Sequence, residues 1–248
     1  MGKLKLISFV ESHVDVENPK RLLWGDAKTQ VTVNLDIYNG ETVLSVDTVV
    51  LIMAYNKTEI TLEELRVHFE KLLRKTFNLP NGTKVLINPS GAWTDSYGAY
   101  GDAGLTGRKI VADQYGGFVA VGGGSLSSKD LTKVDRSATY AARNIALDIL
   151  DKFESVKDVE VQLAYAIGVA EPVSITTKIT PTKRIATNDL TDYLAARVQD
   201  YVEYSYDLTP KGIIERLNFS PCEYYELSKG CHFRSGTYIG KWRERNEN

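Results

Sequence analysis

TQVTVNLDIYNGETVLSVDTVVLIMAY, residues 29–55, decides the fold class. Its first arm alternates Val31, Val33, Leu35 and Ile37 with polar residues, the period of a strand with one buried face. Asn39-Gly40 is the dipeptide of a type I′ turn, and a second apolar arm follows. The reading is a β-hairpin, and a hairpin with one apolar face needs a covering layer.

That layer is legible on the C-terminal side. Thr61 caps a helix, Glu64 completes a capping box, and Leu62, Leu65, Val67, Phe69, Leu72 and Leu73 supply its apolar positions. KVLIN (84–88) is a short strand that ends at Pro89-Ser90-Gly91. A loop rich in glycine and tyrosine then runs to residue 107, and a domain boundary is expected within 90–107. Farther on, a helix lies within 132–153, its buried stripe formed by Val134, Ala138, Ala141, Ile145 and Ile149. Strands are expected at 159–168 and 173–179, parted by Glu171-Pro172, and a helix at 188–202 with Asn188 as its cap. A shorter helix starts after Pro210, and the tail from about Ser235 is polar. Hairpins and helices without a regular parallel βαβ repeat predict an α+β fold of layered antiparallel or mixed sheets covered by helices.

Composition narrows function by exclusion. The 248 residues are 43% hydrophobic and 25% charged, values of an ordinary globular protein. A net charge of −2 provides no global basic field toward nucleic acid or an anionic membrane surface, so any anion recognition must be local. Two cysteines, Cys222 and Cys231, form neither a disulfide framework nor a zinc pattern. No apolar run reaches membrane-spanning length and MGKLKLISF is too weakly apolar for a signal peptide, so a cytoplasmic location is expected.

Local anion chemistry has candidates. GDAGLTGRKIVADQYGG (101–117) crowds glycines around Arg108 and Lys109, which suits either a run of tight turns or a backbone that approaches an anion closely. In GGGSLSSKDLTKVD (122–135), three glycines lead through small hydroxyl residues to Lys129 and Lys133 at a helix start. Two cations four residues apart repel and oppose the helix dipole, so a bound anion would offset both costs; solvated lysines are the alternative. Lys129 is followed by Asp130, which excludes a Walker A loop. Asp102, between glycines, would bind an amine or a ribose, or cap a turn. Asp135 would ligate magnesium together with phosphate oxygens, or pair with Thr132 as a cap. Asp26 and Lys28 flank Ala27 at the entrance of the first strand. His68 reads as a surface residue and His232 as structural; no Ser-His-Asp or Cys-His nucleophile is evident.

Taken together, these stretches resemble the methionine adenosyltransferase (S-adenosylmethionine synthetase) family. NPSG (88–91), GDAGLTGRKI (101–110), QYGG (114–117), GGGSLSSKD (122–130), KVDRSATYAAR (133–143) and YAIGVAEP (165–172) follow the family's order and spacing. GDAKTQVT (25–32) and DLTPKGIIERL (207–217) extend the resemblance from about residue 20 to 235. It implies two similar α/β-sandwich domains, a central one over 1–95 and a C-terminal one over 96–248. It also implies formation of S-adenosylmethionine from ATP and L-methionine, with release of pyrophosphate and phosphate, and a requirement for Mg2+ and K+. By the motifs, Asp26, Lys28, Asp102, Arg108, Lys109 and Lys129 would bind ATP, with Lys28, Arg108 and Lys129 catalytic. Asp102 and Lys133 would face methionine, and Asp135 would hold the metal.

The resemblance has gaps. Family members are longer on the N-terminal side, and the segment bearing potassium- and methionine-binding glutamates and a gating loop has no counterpart here. The Gly-His-Pro-Asp-Lys motif is echoed only by Glu11-Ser12-His13-Val14-Asp15, and Ala92-Trp93 stands where the family carries Arg-Phe. The expected partner is therefore a second subunit, in a homo-oligomer or in a hetero-oligomer with a longer chain, that completes the active site. Strand arms bearing Val31, Val33, Val49, Val50 and Ile52 are candidate interface faces. The alternative is a non-catalytic regulatory subunit of such an enzyme.

Overall fold

The computed structural model describes residues 20–38, 41–105, 107–182, 188–234 and 237. His13, Asp15 and the Asn39-Gly40 turn lie outside them, as does the side chain of Asn188. The chain divides into two compact units, Met1–Gly104 and Leu105–Asn248. No helix among the described residues is long and apolar enough to cross a membrane.

In the first unit, β1 (Leu23–Tyr38) and β2 (Glu41–Tyr55) pair antiparallel as the alternation demands. Helix α1 (Leu62–Phe77) follows, and β3 (Lys84–Ile87) then joins β2 in parallel, giving a mixed sheet of order β1-β2-β3. The capping box is present: the Glu64 amide donates to Thr61 Oγ1 at 3.3 Å, and the Thr61 amide to Glu64 Oε2 at 2.9 Å. One sheet face carries Val49, Leu51, Met53 and Tyr55, which close a core with Leu65, Phe69 and Leu73 of α1. Val49 is thus spent inside the unit, contrary to its expected place at an interface; Val50 and Ile52, one residue out of phase, point to the opposite face. Val67, expected on the apolar stripe of α1, is 69% exposed because the core-facing positions are Leu65, Phe69 and Leu73.

Asn88 ends β3 in a way the sequence did not announce. Fully buried at φ 43°, its side-chain amide accepts from the Met53 amide at 2.8 Å and donates to the Met53 carbonyl at 2.9 Å. A side chain continues the ladder for one more step after the backbone turns away. Arg66 of α1 then caps the Ile87 and Asn88 carbonyls at 3.1 and 3.0 Å.

A short helix, α2 (Gly98–Gly101), lies near the end of the first unit, and the helices of the second begin with α3 (Ile110–Asp113). Helix α4 (Val134–Lys152) buries Ala138, Ala141, Ile145 and Ile149 as the stripe predicts. It packs on β4 (Val156–Ala164), which pairs antiparallel with β5 (Ser174–Pro181). Helix α5 (Asn188–Ser205) lies on β5, and Gln199 fastens it: its Oε1 accepts from the Thr177 amide at 3.0 Å and its Nε2 donates to the Ile175 carbonyl at 2.8 Å. Val198 and Val202 complete this core with Ile145, Ile149, Val156 and Leu208. Helix α6 (Pro210–Leu217) starts as expected, with Thr209 as its cap. Helix α7 (Pro221–Ser228) was not anticipated, although Ser220 and Glu223 form a capping box before it.

Candidate functional site

The sequence-derived candidates fall into two clusters, one per unit. In the first unit, the Lys28 ammonium lies 3.2 Å from the Asp102 carboxylate and 5.6 Å from the Trp93 ring centre. Asp26 Oδ2 accepts the Gly98 amide at 2.8 Å, fastening the start of α2 to the entrance of β1. Trp24 stacks on Tyr97, ring centres 5.4 Å apart, over the same junction. Lys28 and Asp102 are each more than half exposed, so their pair is solvated and remains available to a ligand.

In the second unit two loops meet through glycines. Gly107 has φ +84°, and a Cβ there would overlap the Ser125 side chain. A Cβ at Gly124 would overlap the Asp135 carboxyl. Only glycine permits these approaches, which set the Arg108 loop against Ser125 and the triple-glycine loop against the first turn of α4. Among the described residues Arg108 and Lys109 are exposed and have no ion-pair partner. Lys129 is paired with Asp135, and Lys133 lies 3.7 Å from Asp130. The repulsion that the lysine spacing implies is therefore offset within the chain, so it does not of itself require a bound anion. Thr132 is served by Asp130, whose Oδ1 accepts the Thr132 amide at 2.8 Å, and not by Asp135. The Thr132 hydroxyl, which also donates to Asp130 Oδ1, and then the Thr132 amide hold the Asp130 carboxyl below its ordinary range. Asp135 is left to Lys129.

A groove of about 460 Å³ opens beside this cluster, lined by Asp135, Thr139 and Arg143 of α4, by Glu160 and Gln162 of β4, and by residues 119–122. No group of three or more His, Cys, Asp or Glu side chains that could hold a metal ion exists among the described residues. Asp135 as a single exposed carboxylate fits magnesium that arrives with phosphate oxygens, not an all-protein cage.

Behind the loop is a buried network. His232, fully buried, receives the Tyr140 hydroxyl at Nδ1, 2.6 Å away, and lies 2.9 Å from Ser127 Oγ through Nε2. Arg136 Nε donates to the Tyr140 oxygen at 2.9 Å, and its NH1 to the Lys129 carbonyl at 2.6 Å. Burial, then the charges of Arg136 and Arg234, push the His232 imidazole down to about 4; burial pushes the Tyr140 phenol up to about 12. His232 is structural, as its sequence context suggests, but nothing in the sequence links it to Ser127, 105 residues away.

The sequence model described as S-adenosylmethionine synthetase, C-terminal domain, matches residues 97–244, more than half of the chain. The chain belongs to the S-adenosylmethionine synthetase family. An S-adenosylmethionine synthase of Mycoplasmopsis pulmonis is 37% identical over 222 residues, covering 88% of this chain and 55% of the relative. That of Lacticaseibacillus casei is 41% identical over 212 residues, covering 84% and 50%. An unusual S-adenosylmethionine synthetase from Campylobacter jejuni has a structure that superposes with a TM-score of 0.75 at 30% identity, over 98% of this chain and 62% of that one. The chain thus spans about half the length of the curated relatives it matches.

Proposed function

We propose that this chain takes part in methionine adenosyl transfer, in which the sulfur of L-methionine attacks C5′ of ATP and displaces tripolyphosphate, later cleaved to pyrophosphate and phosphate. The observation that carries the reading is the second unit's cluster, where glycines at 107 and 124 set the Arg108 loop against Ser125 and the triple-glycine loop against Asp135 in the first turn of α4, itself paired with Lys129. A triphosphate leaving group needs several cations and close backbone approaches spread along it. Arg108, Lys109 and Lys129 hold the phosphates, and Arg108 and Lys129 stabilise charge as it builds on the leaving oxygen. Magnesium, held by Asp135 and the phosphates, would supply further neutralisation of that charge. In the first unit, Asp26 and Lys28 serve the nucleotide, and Asp102 answers the ammonium of methionine with its carboxylate. Lys133 faces the methionine carboxylate. The remaining catalytic groups come from another subunit, in a homo- or hetero-oligomer.

A regulatory subunit without catalysis is the second reading, favoured by Ala92 in place of the family's arginine. Two measurements separate them. Tripolyphosphate with magnesium should raise the Tm of the chain, and Lys129→Ala with Arg108→Ala should abolish that shift. Phosphate release from ATP and methionine is then assayed with the chain alone and mixed with a full-length family member. Mixtures carrying Asp102→Ala should lose about tenfold in kcat/KM. Full activity of that mixture would favour the regulatory reading.

A further inference from the structure

We propose that Arg136, Tyr140 and His232 form a buried relay that positions the Ser127–Lys133 loop and aims the Ser127 hydroxyl proton outward, making Ser127 an additional anion donor. The inference rests on the anion-binding reading of that loop and assigns Ser127 a role of its own.

The direction of the relay follows from donor and acceptor counts. Arginine has only donors, so the Tyr140 oxygen accepts from Arg136 Nε. The Tyr140 proton is then directed to His232 Nδ1 at 2.6 Å. With Nδ1 accepting, a neutral imidazole carries its proton on Nε2, which donates to Ser127 Oγ at 2.9 Å. Ser127 is left with its own proton as a donor away from the histidine. The reverse tautomer would make the Tyr140 oxygen accept twice and strand a phenolic proton in a fully buried side chain, a costly arrangement. Burial keeps the imidazole neutral, so the polarity of the relay holds at physiological pH.

The same relay fixes the first part of the loop at both of its ends. Arg136 grips the Lys129 carbonyl while His232 grips Ser127, so the segment between them, Ser127 to Lys129, has its backbone and one side chain tied to the core. Arg136 is itself held flat, its guanidinium 4.6 Å from the Tyr224 ring centre on α7. The Thr237 hydroxyl and the Asp113 carbonyl anchor the His232 backbone, at 2.9 and 2.7 Å. A loop ordered before its anion arrives loses less entropy on binding.

The test uses the full chain and tripolyphosphate with magnesium, read by calorimetry. Lys129→Ala serves as the reference: if it leaves affinity unchanged, the anion site itself is wrong. Where Lys129→Ala weakens binding, Ser127→Ala should weaken it about 3- to 10-fold, the scale of one hydrogen bond. Tyr140→Phe should weaken it similarly, and the double variant Ser127→Ala with Tyr140→Phe should lose less than the two losses combined, because one relay serves both. Unchanged affinity in Ser127→Ala, or strictly additive losses, overturns the proposal. Nitrogen NMR of His232 in the unaltered chain decides even if Tyr140→Phe does not fold: the Nε2–H tautomer is expected, and the Nδ1–H tautomer overturns the relay.

Discussion

The carboxylate of Asp135 is ion-paired with the ammonium of Lys129, which precedes it on the loop leading into α4. Without ligand, each neutralises the other. A polyphosphate would compete with Asp135 for Lys129, and magnesium would compete with Lys129 for Asp135. The pair is thus a closed form of the proposed phosphate site, opened by the metal and the anion together.

Asp135→Asn should therefore act in opposite directions with and without metal. In the absence of magnesium, Lys129 is released and tripolyphosphate binds up to about fivefold more tightly, the upper scale of an exposed ion pair. With magnesium, the gain in affinity seen in the unaltered chain should shrink. Calorimetric titration under both conditions checks this, and an equal magnesium effect in both proteins refutes it.

The buried histidine makes a second prediction. Its pKa is near 4 folded and 6.5 as the reference value, so the folded state resists a proton that the unfolded chain accepts. The stability this gives is fully present above the unfolded value and is lost as pH falls from 6.5 toward 4. The loss amounts to about 3 kcal/mol over that window. Urea denaturation at pH 7.5, 6 and 4.5 should show it, and His232→Gln should flatten the slope while lowering stability throughout.

How far these residues were legible differs by the range over which their partners act. The hairpin, α1 and α4 follow local rules: alternation in Val31 and Val33, a cap at Thr61, a stripe from Ala138 to Ile149. The lysines and glycines of the loops were visible as a pattern, but their pairing was not, because Lys129 could answer Asp135 only once Gly124 let the loop close on α4. Asn88 and His232 were opaque for a further reason. Each makes its bonds with residues far away in sequence, Met53 and Tyr140, and nothing local to either position signals a partner.

Asn88 supplies the third prediction. Asn88→Ala leaves both backbone groups of Met53, itself 1% exposed, without their partners and places a Cβ-bearing residue that lacks asparagine's tolerance at φ 43°. A cost of about 2–5 kcal/mol is expected. Asn88→Gly removes the backbone part of that cost and should be milder than Ala. Asn88→Asp keeps the acceptor, loses the donor and buries a charge, so it should be the most harmful at neutral pH. Chemical denaturation of the three variants gives the order, and equal effects of Gly and Ala would show that the backbone conformation contributes nothing.

The last prediction concerns the outer part of the β1–β2 ribbon. Among the described residues, the first unit's core reaches along the ribbon as far as Val31 and Val46. Beyond that, Leu35 and Leu44 are cross-strand partners, each 59% exposed, and Val43 is exposed beside them. Cross-strand leucines left in water are unfavourable unless another surface covers them, and association of subunits through this ribbon would do so. Sedimentation at low micromolar concentration should then show a dimer or larger. Leu35→Lys with Leu44→Glu retains a favourable cross-strand pair, so the ribbon itself should survive. It also places charges where the subunits would meet, and the assembly should dissociate while the Tm of the separated chain changes little. A monomer before substitution, or an assembly indifferent to it, would remove the ribbon from consideration as the interface.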